Sequence, residues 1–510
     1  MHDPERIPVI IGVGQINDRP ESPDLGLDPP SLMAAALRLA EQDAGGDVLA
    51  RLDSLAIVDQ ISFRELGNLC GTLASAIGAS PRINYQSEAP HGDTPIRLLN
   101  EAANRIGSGE ITLAAVVGAE ALRTAAARAA ARTQSDGSSH NALRAAASRR
   151  EPGYLQLHGL SAPVDVYPIY ENAGRAAYGQ TLAEGQAESG AIWAQFSEVA
   201  ASNEGAWIRK AMSADEILTP GPKNRPLAFP YTKLTVANSS VNQGAGFIVT
   251  SLAEARRRGI AEERLIYVGM GAAAKEDPNI LRRDRFDRSV SMDTAIRRTL
   301  ELNDMTGADL DLVELYSCFP CVPKMARRTL GWPLERPATV FGGLTFGGGP
   351  IANYMSHAVV SMVQRLREER GNGFLFANGG FATDNHCIVI ASQPIAAARF
   401  PQNFDYQAEA DAAREEVPSL AKDYVGSALV ESYTVFHDPA GHPAGGVVVA
   451  RTPDGQRTLC HIDVQDPAMV AFFMGGQIEP VSRQGRIVVE HGKRSWRNFA
   501  LPPENWTTCG

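Results

Sequence analysis

VELYSCFP, residues 313–320, decides the reading of this 510-residue chain. The apolar run at 312–316 has strand character, and a helical pattern follows at 323–330. The stretch is therefore strand, short turn, helix, with Ser317 and Cys318 in the turn. Cys318 and Cys321 form a lone Cys-x-x-Cys in that turn, the local setting a redox dithiol needs. A zinc site needs a second ligand pair, and only His386 and Cys387 offer one.

Working outward, the same alternation recurs on both sides. Before residue 120, strand signals at 7–13, 52–58 and 111–117 alternate with helical patterns at 29–44, 67–77 and 94–106. After 236 come a small-residue run read as a helix (236–259), strands at 265–269 and 312–316, and helices at 293–303, with an Asp293 cap, and 323–330. A long helix at 350–370 and strands at 374–377 and 387–391 complete this half. Continuous rather than alternating apolar strands predict a largely parallel sheet covered on both faces. The double occurrence of the alternation points to a duplicated unit. Residues 122–230 interrupt it with the polar run TQSDGSSH (133–140) and helices around 168–186 and 189–212, and read as an insertion. Past residue 400 an acidic helical linker leads to short β-branched runs separated by PAGHPAG and PDGQ, a small all-β domain.

Composition bounds the function. Ordinary domains run about 100–200 residues, so the chain has room for two to four. Hydrophobic residues make up 44% and charged residues 21%, which is soluble globular usage. A net charge of −10 without a basic run argues against nucleic acid as a partner. Two acids precede the first short apolar run, unlike a signal peptide, and no stretch of about 18 apolar residues predicts a membrane span. The cysteines, Cys70, Cys318, Cys321, Cys387, Cys460 and Cys509, are sparse and irregular. A reduced, cytoplasmic protein is expected.

Two glycine motifs invite nucleotide readings. GVGQ after the first strand lacks the third glycine of a dinucleotide fingerprint and reads as a tight turn. GGLTFGGGP (342–350) lacks the Gly-Lys-Ser/Thr ending of a triphosphate loop. Its glycines and the following helix start are either a packed turn or a cradle for phosphate, carboxylate or a developing oxyanion.

VELYSCFP resembles the thiolase motif valine–glutamate–x–asparagine–glutamate–alanine–phenylalanine. The sterol-carrier-protein branch writes its end histidine–aspartate–cysteine–phenylalanine; here it is Tyr316-Ser317-Cys318-Phe319. VANSSVNQGAGFIVTS resembles the thiolase Asn-x-Ser-x-x-Asn-Asp-Gly-Ala segment, GEITLAAVVGAEAL the strand ending in Gly-Gly-x-Glu-Ser, GGLTFGGGP the Gly-His-Pro block, and FANGGF the final Cys-x-Gly loop. Order and spacing agree from about 5 to 395. The chain thus resembles the thiolase superfamily, and within it thiolase-like proteins of type 1, which combine a Gly-Gly-Gly-Pro loop, a Tyr-Ser-Cys-Phe motif and an additional C-terminal domain.

The resemblance implies an α/β fold, the duplicated layered αβαβα thiolase fold. Its halves fall at 1–255, with a helical loop-domain insertion at about 122–230, and at 256–400; a β-rich domain follows at 405–510. It implies an acyltransferase relative in lipid metabolism, often called acetyl-CoA acetyltransferase, with CoA or acyl-CoA as ligand and no resident cofactor or metal. A monomer or homodimer is expected, with an acyl-CoA-binding protein as a possible kind of partner. CoA recognition is expected from the loop domain, Ser240, Gly348, Gly349 and Asn378. A thiolase needs a cysteine nucleophile at a helix start, a second cysteine as acid/base, and histidine and asparagine–water donors for the thioester oxygen. Here the nucleophile falls at Gly92, or at His91. The loop histidine is replaced by Gly349, the second cysteine by Ala377 or Asn378, and the oxyanion-supporting residue by Tyr316. Only Cys318 remains. The candidates are Cys318, Tyr316 and His91, with Tyr354 and His357 in support. Two readings stand open: an unconventional acyl-CoA enzyme, including a retro-aldolase on β-hydroxyacyl-CoA with Tyr316 as base, or an acyl-CoA-binding protein without turnover.

Overall fold

The computed structural model describes residues 3–136 and 153–499; Cys509 and the end of the polar run, 137–140, lie outside them. Strand β1 (Pro8–Asn17) runs beneath helix α1 (Pro29–Asp43), whose start is capped by Asp28 accepting from the Ser31 amide at 3.0 Å. Gly12 and Gly14 lie inside β1 rather than in the expected turn. Their reason is packing: a Cβ on Gly12 would stand 2.1 Å from the Ala40 carbonyl oxygen, and one on Gly14 2.2 Å from that of Ala36. The helix backbone rests on the strand, and only glycine leaves the room.

The first half adds β2 (Ser54–Ile57), β3 (Ile83–Gln86), β4 (Leu113–Ala121) and, past the insertion with its small hairpin β5 (Pro226–Ala228) and β6 (Tyr231–Thr232), β7 (Asn242–Ser251). The second half supplies β8 (Ile266–Lys275), β9 (Leu312–Leu315), β10 (Asn372–Gly379) and β11 (Asp384–Ala391). These form a nine-stranded sheet in the order β3-β2-β4-β7-β1-β8-β11-β10-β9. Outward from its centre the two halves repeat one plan. The first strand pairs antiparallel with the last, the last antiparallel with the one before it, and a parallel step follows, β4 to β2 and β10 to β9. The duplication read from the sequence is real in the topology. Within the sheet the two halves are joined by the pairing of β1 with β8, at Val9↔Tyr267 and Ile10↔Ile266.

The expected predominance of parallel pairing does not hold; the sheet is mixed, because a continuous apolar run reports burial on both faces and not direction. Residues 242–251 are the second departure. The small-residue run expected to be a helix is β7, buried along its whole length, with Phe247, Ile248, Val249 and Thr250 favouring a strand. Its glycines serve close packing again: a Cβ on Gly244 would lie 2.9 Å from the Leu32 carbonyl oxygen of α1.

The helices between the halves are instead α2 (Thr94–Ser108) and the later helix at Tyr354–Glu369, each packed on strands of both. With α1 outside the first half and Val290–Leu302 outside the second, the layers run αβαβα. Val290–Leu302 is capped by Ser289, not Asp293, which lies in its first turn.

The insertion contributes α3 (Pro163–Ala177) and α4 (Leu182–Ser202). The remaining helices are α5 (Val290–Leu302), α6 (Cys321–Leu330) and α7 (Tyr354–Glu369). The C-terminal strands β12 (Gly426–His437), β13 (Pro443–Arg451), β14 (Arg457–His461), β15 (Gln484–Glu490) and β16 (Lys493–Asn498) close into a small barrel, β13-β14-β16-β15-β12 with β12 pairing back to β13. The helix Pro467–Met474 between β14 and β15 gives it the connectivity of an OB-fold. Alternation along its strands sorts two interfaces: Val448, Ala450 and Cys460 face the barrel interior around Trp496, while Val447, Val449 and Leu459 join the main core. Arg457, fully buried, donates to the Leu281 (2.8 Å) and Arg283 (2.6 Å) carbonyls and to Glu431. The hairpin β5–β6 extends the barrel's sheet beside β12, so the insertion and the C-terminal barrel share backbone hydrogen bonds. No helix among the described residues is long and apolar enough to cross a membrane.

Candidate functional site

The loops singled out in the sequence converge beyond the carboxyl ends of β9 and β10, the end at which open α/β sheets hold ligands. The Tyr316 amide continues the β9–β10 ladder to the Phe376 carbonyl (3.1 Å). The Ala237 amide donates to the Cys318 carbonyl (3.0 Å), Asn238 to Leu344 (3.0 Å) and Gly349 to Asn238 (2.8 Å). The Ser317 hydroxyl receives the Leu344 amide at 3.2 Å. The start of α2 completes the junction: a Cβ on Gly92 would lie 2.2 Å from the Asn378 carbonyl oxygen and 2.7 Å from the Tyr316 hydroxyl. The place the resemblance assigns to the nucleophile's side chain is occupied by other atoms.

Tyr316 and Cys318 are both buried. Burial pushes the Cys318 thiol up to about 12, against a smaller opposing pull from the neighbouring Tyr167 hydroxyl. Burial also holds the Tyr316 phenol well above its ordinary value, with Cys318 and Asp93 adding to the effect. At neutral pH the site therefore presents a thiol and a phenol, neither ionised. Tyr167, from α3, stacks on Phe319 with ring centroids 4.3 Å apart. Its hydroxyl donates to the Gly380 carbonyl (3.0 Å) and receives the Ala382 amide (2.9 Å), clamping the loop between β10 and β11. Asn378 is enclosed there, its amide donating to Asn385 Oδ1 at 2.9 Å.

His91 stands at the rim with its side chain 53% exposed, and its Nδ1 lies 3.2 Å from Asp384 Oδ2. Asp384 is buried and also pairs with Lys275 Nζ at 2.9 Å. The Asp384 hydrogen bond raises the imidazole's proton affinity, while His91 and Lys275 together hold the Asp384 carboxyl below its ordinary value despite burial. Asp93, buried and close enough to Asp384 and Tyr316 to act on both electrostatically, is pushed up to about 6 by burial and then by Asp384.

The glycine-rich loop is a buried, tightly wound turn. Gly342, Gly343 and Gly348 have φ of 112°, 69° and 105°, and Gly347 accepts hydrogen bonds from the Trp207 amide (2.9 Å) and Gln243 Nε2 (2.9 Å). The loop packs as a buried turn, and the helix begins at Tyr354 rather than at Pro350. Ile351, directly after the loop, has φ of 41°, a strained value for a β-branched residue. Ser240 is exposed, its amide donating to Asn238 Oδ1 at 3.2 Å. The Tyr354 ring packs edge-on against that of Tyr316, centroids 5.6 Å apart, and His357 stacks on Phe341 at 5.1 Å. The Tyr354 hydroxyl donates to buried Glu314 at 2.6 Å, while burial depresses His357 to about 3, with Nδ1 on Gln15 (2.8 Å).

The sequence reading missed Tyr167, Asp93, Asp384 and Lys275. Asp93 was within reach, two residues after His91. Tyr167 carries no motif signal, since it arrives from the insertion.

Set against known proteins, residues 407–491 match the family model "Thiolase-like protein type 1 additional C-terminal domain". Over its fold the chain resembles a monomeric SCP2-thiolase-like protein type 1 from Mycobacterium smegmatis at 27% identity and TM-score 0.79, covering 98% of this chain and 100% of that one. The Ltp2-ChsH2(DUF35) aldolase aligns at 17% identity and TM-score 0.56 over 77% of this chain and 99% of its own. Human mitochondrial 3-ketoacyl-CoA thiolase, in complex with CoA, aligns at 15% and 0.56 over 76% and 98%. No curated protein is a significant match in sequence. The layered core and its converging loops are those of the thiolase fold. The match at 407–491 and the likeness over the whole fold both support placing the chain with the thiolase superfamily, and within it thiolase-like protein type 1 is the group it resembles.

Proposed function

We propose that the protein binds CoA or an acyl-CoA thioester at this junction and does not run the thiolase acyl-enzyme cycle. The observation that carries the proposal is at Gly92. The nucleophile's position has no side chain, and the Asn378 carbonyl and Tyr316 hydroxyl lie 2.2 and 2.7 Å from where a Cβ would stand. Cys318, the surviving cysteine, is a buried thiol held protonated, so it offers no thiolate to carry the acyl group. What remains is suited to holding a thioester: a phenolic hydrogen-bond donor beside the side-chain-free Gly92.

A retro-aldol reaction with Tyr316 as base is less well supported, because burial keeps that phenol protonated. The protein is proposed to act as a monomer, as the Mycobacterium smegmatis relative does, in cytoplasmic acyl-CoA metabolism. Titration calorimetry with CoA and acetyl-CoA, beside an assay for thiolysis of acetoacetyl-CoA by CoA, tests the reading. Saturable binding without acetyl-CoA formation is expected. Thiolysis at an enzymatic rate, or no binding of either ligand, would overturn it.

A further inference from the structure

We propose that His91, oriented by Asp384, and the hydroxyl of Tyr316 together make the junction at Gly92 a site of acyl-CoA thioester hydrolysis. This rests on the acyl-CoA reading above and adds the chemistry. Side-chain nucleophiles are withdrawn from the junction: Gly92 has none, and Cys318 and Cys321 are buried thiols with their proton affinity raised by burial. Water is the nucleophile left, and His91 is an imidazole beside the junction that meets solvent. The His91 side chain is 53% exposed, while its Nδ1 is 3.2 Å from an Asp384 carboxylate that is 6% exposed. A carboxylate on Nδ1 fixes the tautomer that leaves Nε2 unprotonated, the arrangement of a general base with its orienting acid.

The pair stands against the right spot. A Cβ built on Gly379 would have the Gly92 amide nitrogen at 3.1 Å and Asp384 Oδ2 at 3.3 Å, so one point beside Gly379 lies within reach of both the carboxylate and the residue at which the Tyr316 hydroxyl arrives. Tyr316 is 6% exposed, and burial, Cys318 and Asp93 keep it a donor. The charged groups around His91 are Asp384 from β11, Lys275 from β8 and Asp93 from its own segment, with Arg97 of α2 facing Asp93. Lys275 holds the other oxygen of Asp384 at 2.9 Å, which fixes the carboxylate in place.

The step balances with water as co-reactant. A water oxygen bonds to the thioester carbon while His91 Nε2 takes one of its protons. The carbonyl π pair moves onto oxygen, where the Tyr316 hydroxyl donates a hydrogen bond. The oxygen lone pair then re-forms the carbonyl as the carbon–sulfur bond breaks, and the His91 imidazolium returns its proton to the departing thiolate. The products are a carboxylic acid and CoA; nothing is oxidised or reduced.

The experiment incubates the full chain with acetyl-CoA, longer acyl-CoAs and a β-hydroxyacyl-CoA. Free CoA is quantified by chromatography, since the protein's own cysteines would react with a thiol dye, and CoA affinity is measured in parallel. Release of CoA with one equivalent of acid is expected. His91→Gln should lower kcat about 10²–10⁴-fold with CoA affinity unchanged, and Tyr316→Phe should lower kcat about 10²-fold. The pH profile should rise with deprotonation of an imidazole whose proton affinity is raised by Asp384. Asp384→Asn should weaken that limb; because it also frees Lys275, the exposed His91→Gln is the decisive variant. Intact CoA binding with no release, full activity in His91→Gln, or cleavage of the β-hydroxyacyl-CoA to an aldehyde in place of free CoA, would overturn hydrolysis while leaving the binding reading standing. Loss of both binding and release would overturn both.

Discussion

A single methyl group tests the central feature of this site. In Gly92→Ala the new Cβ meets the Asn378 carbonyl oxygen at 2.2 Å, the Tyr316 hydroxyl at 2.7 Å and the ring carbon bearing it at 3.1 Å. All three lie well inside ordinary contact. The nearest belongs to the backbone of β10, inside the sheet, and cannot rotate away; the second is the end of a buried side chain. Overpacking of this kind costs about 1–3 kcal/mol, and the rigid backbone contact places Gly92→Ala near the upper end, about 2–3 kcal/mol. Tyr316→Phe removes the hydroxyl contact but not the carbonyl one, so the double variant should recover about 0.5–1 kcal/mol of coupling and no more. Urea unfolding followed by tryptophan fluorescence measures each corner of the cycle. Gly92→Cys, which restores a cysteine at the thiolase position, should unfold early and gain no thiolysis. An unchanged unfolding midpoint for Gly92→Ala would refute the reasoning, because the space would then be open and a side chain at position 92 admissible.

Further consequences are as concrete. Tyr167→Phe leaves the Ala382 amide without its 2.9 Å acceptor and the Gly380 carbonyl without its donor; a loss of about 1–3 kcal/mol, with faster hydrogen exchange at 380–382, is expected. Arg457→Ala should cost about 3–5 kcal/mol, the range for breaking a buried charge pair, and should expose the barrel to limited proteolysis, since Arg457 bonds the Leu281 and Arg283 carbonyls. Asp93, raised from 3.8 to about 6, binds its proton more tightly folded than unfolded, so its contribution to stability is complete below about pH 4 and is lost as pH rises through 6. Asp93→Asn should flatten that segment of the stability–pH curve and stabilise the protein at pH 7 by up to about 3 kcal/mol relative to the parent, from about two pKa units at 1.36 kcal/mol each; an unchanged slope between pH 4 and 6 would show that Asp93 does not titrate there.

Much of this was legible locally. VELYSCFP determined a strand, a turn and a helix, because burial and proline act over a few residues, and they were found at Leu312–Leu315 and Cys321–Leu330. The repeated alternation determined a duplicated core, and the turn-punctuated tail a β-rich barrel. Gly342, Gly343 and Gly348 announced a turn because only glycine adopts their φ at little cost. What periodicity does not carry is direction and partnership. The run at 242–251 became a strand because β1 and β4 flank it and α1 presses on its glycines, contacts made by residues far away in sequence. Strand direction followed from topology, since apolar runs record burial alone. At the site the sequence determined which thiolase groups are missing. Only the tertiary structure decided that Tyr316 and Asn378 fill the space at Gly92, that Tyr167 crosses from the insertion to clamp the loop, and that Asp384 pairs with His91. The physical reason is the same each time: chain propensity is local, whereas a site is assembled by packing between segments hundreds of residues apart.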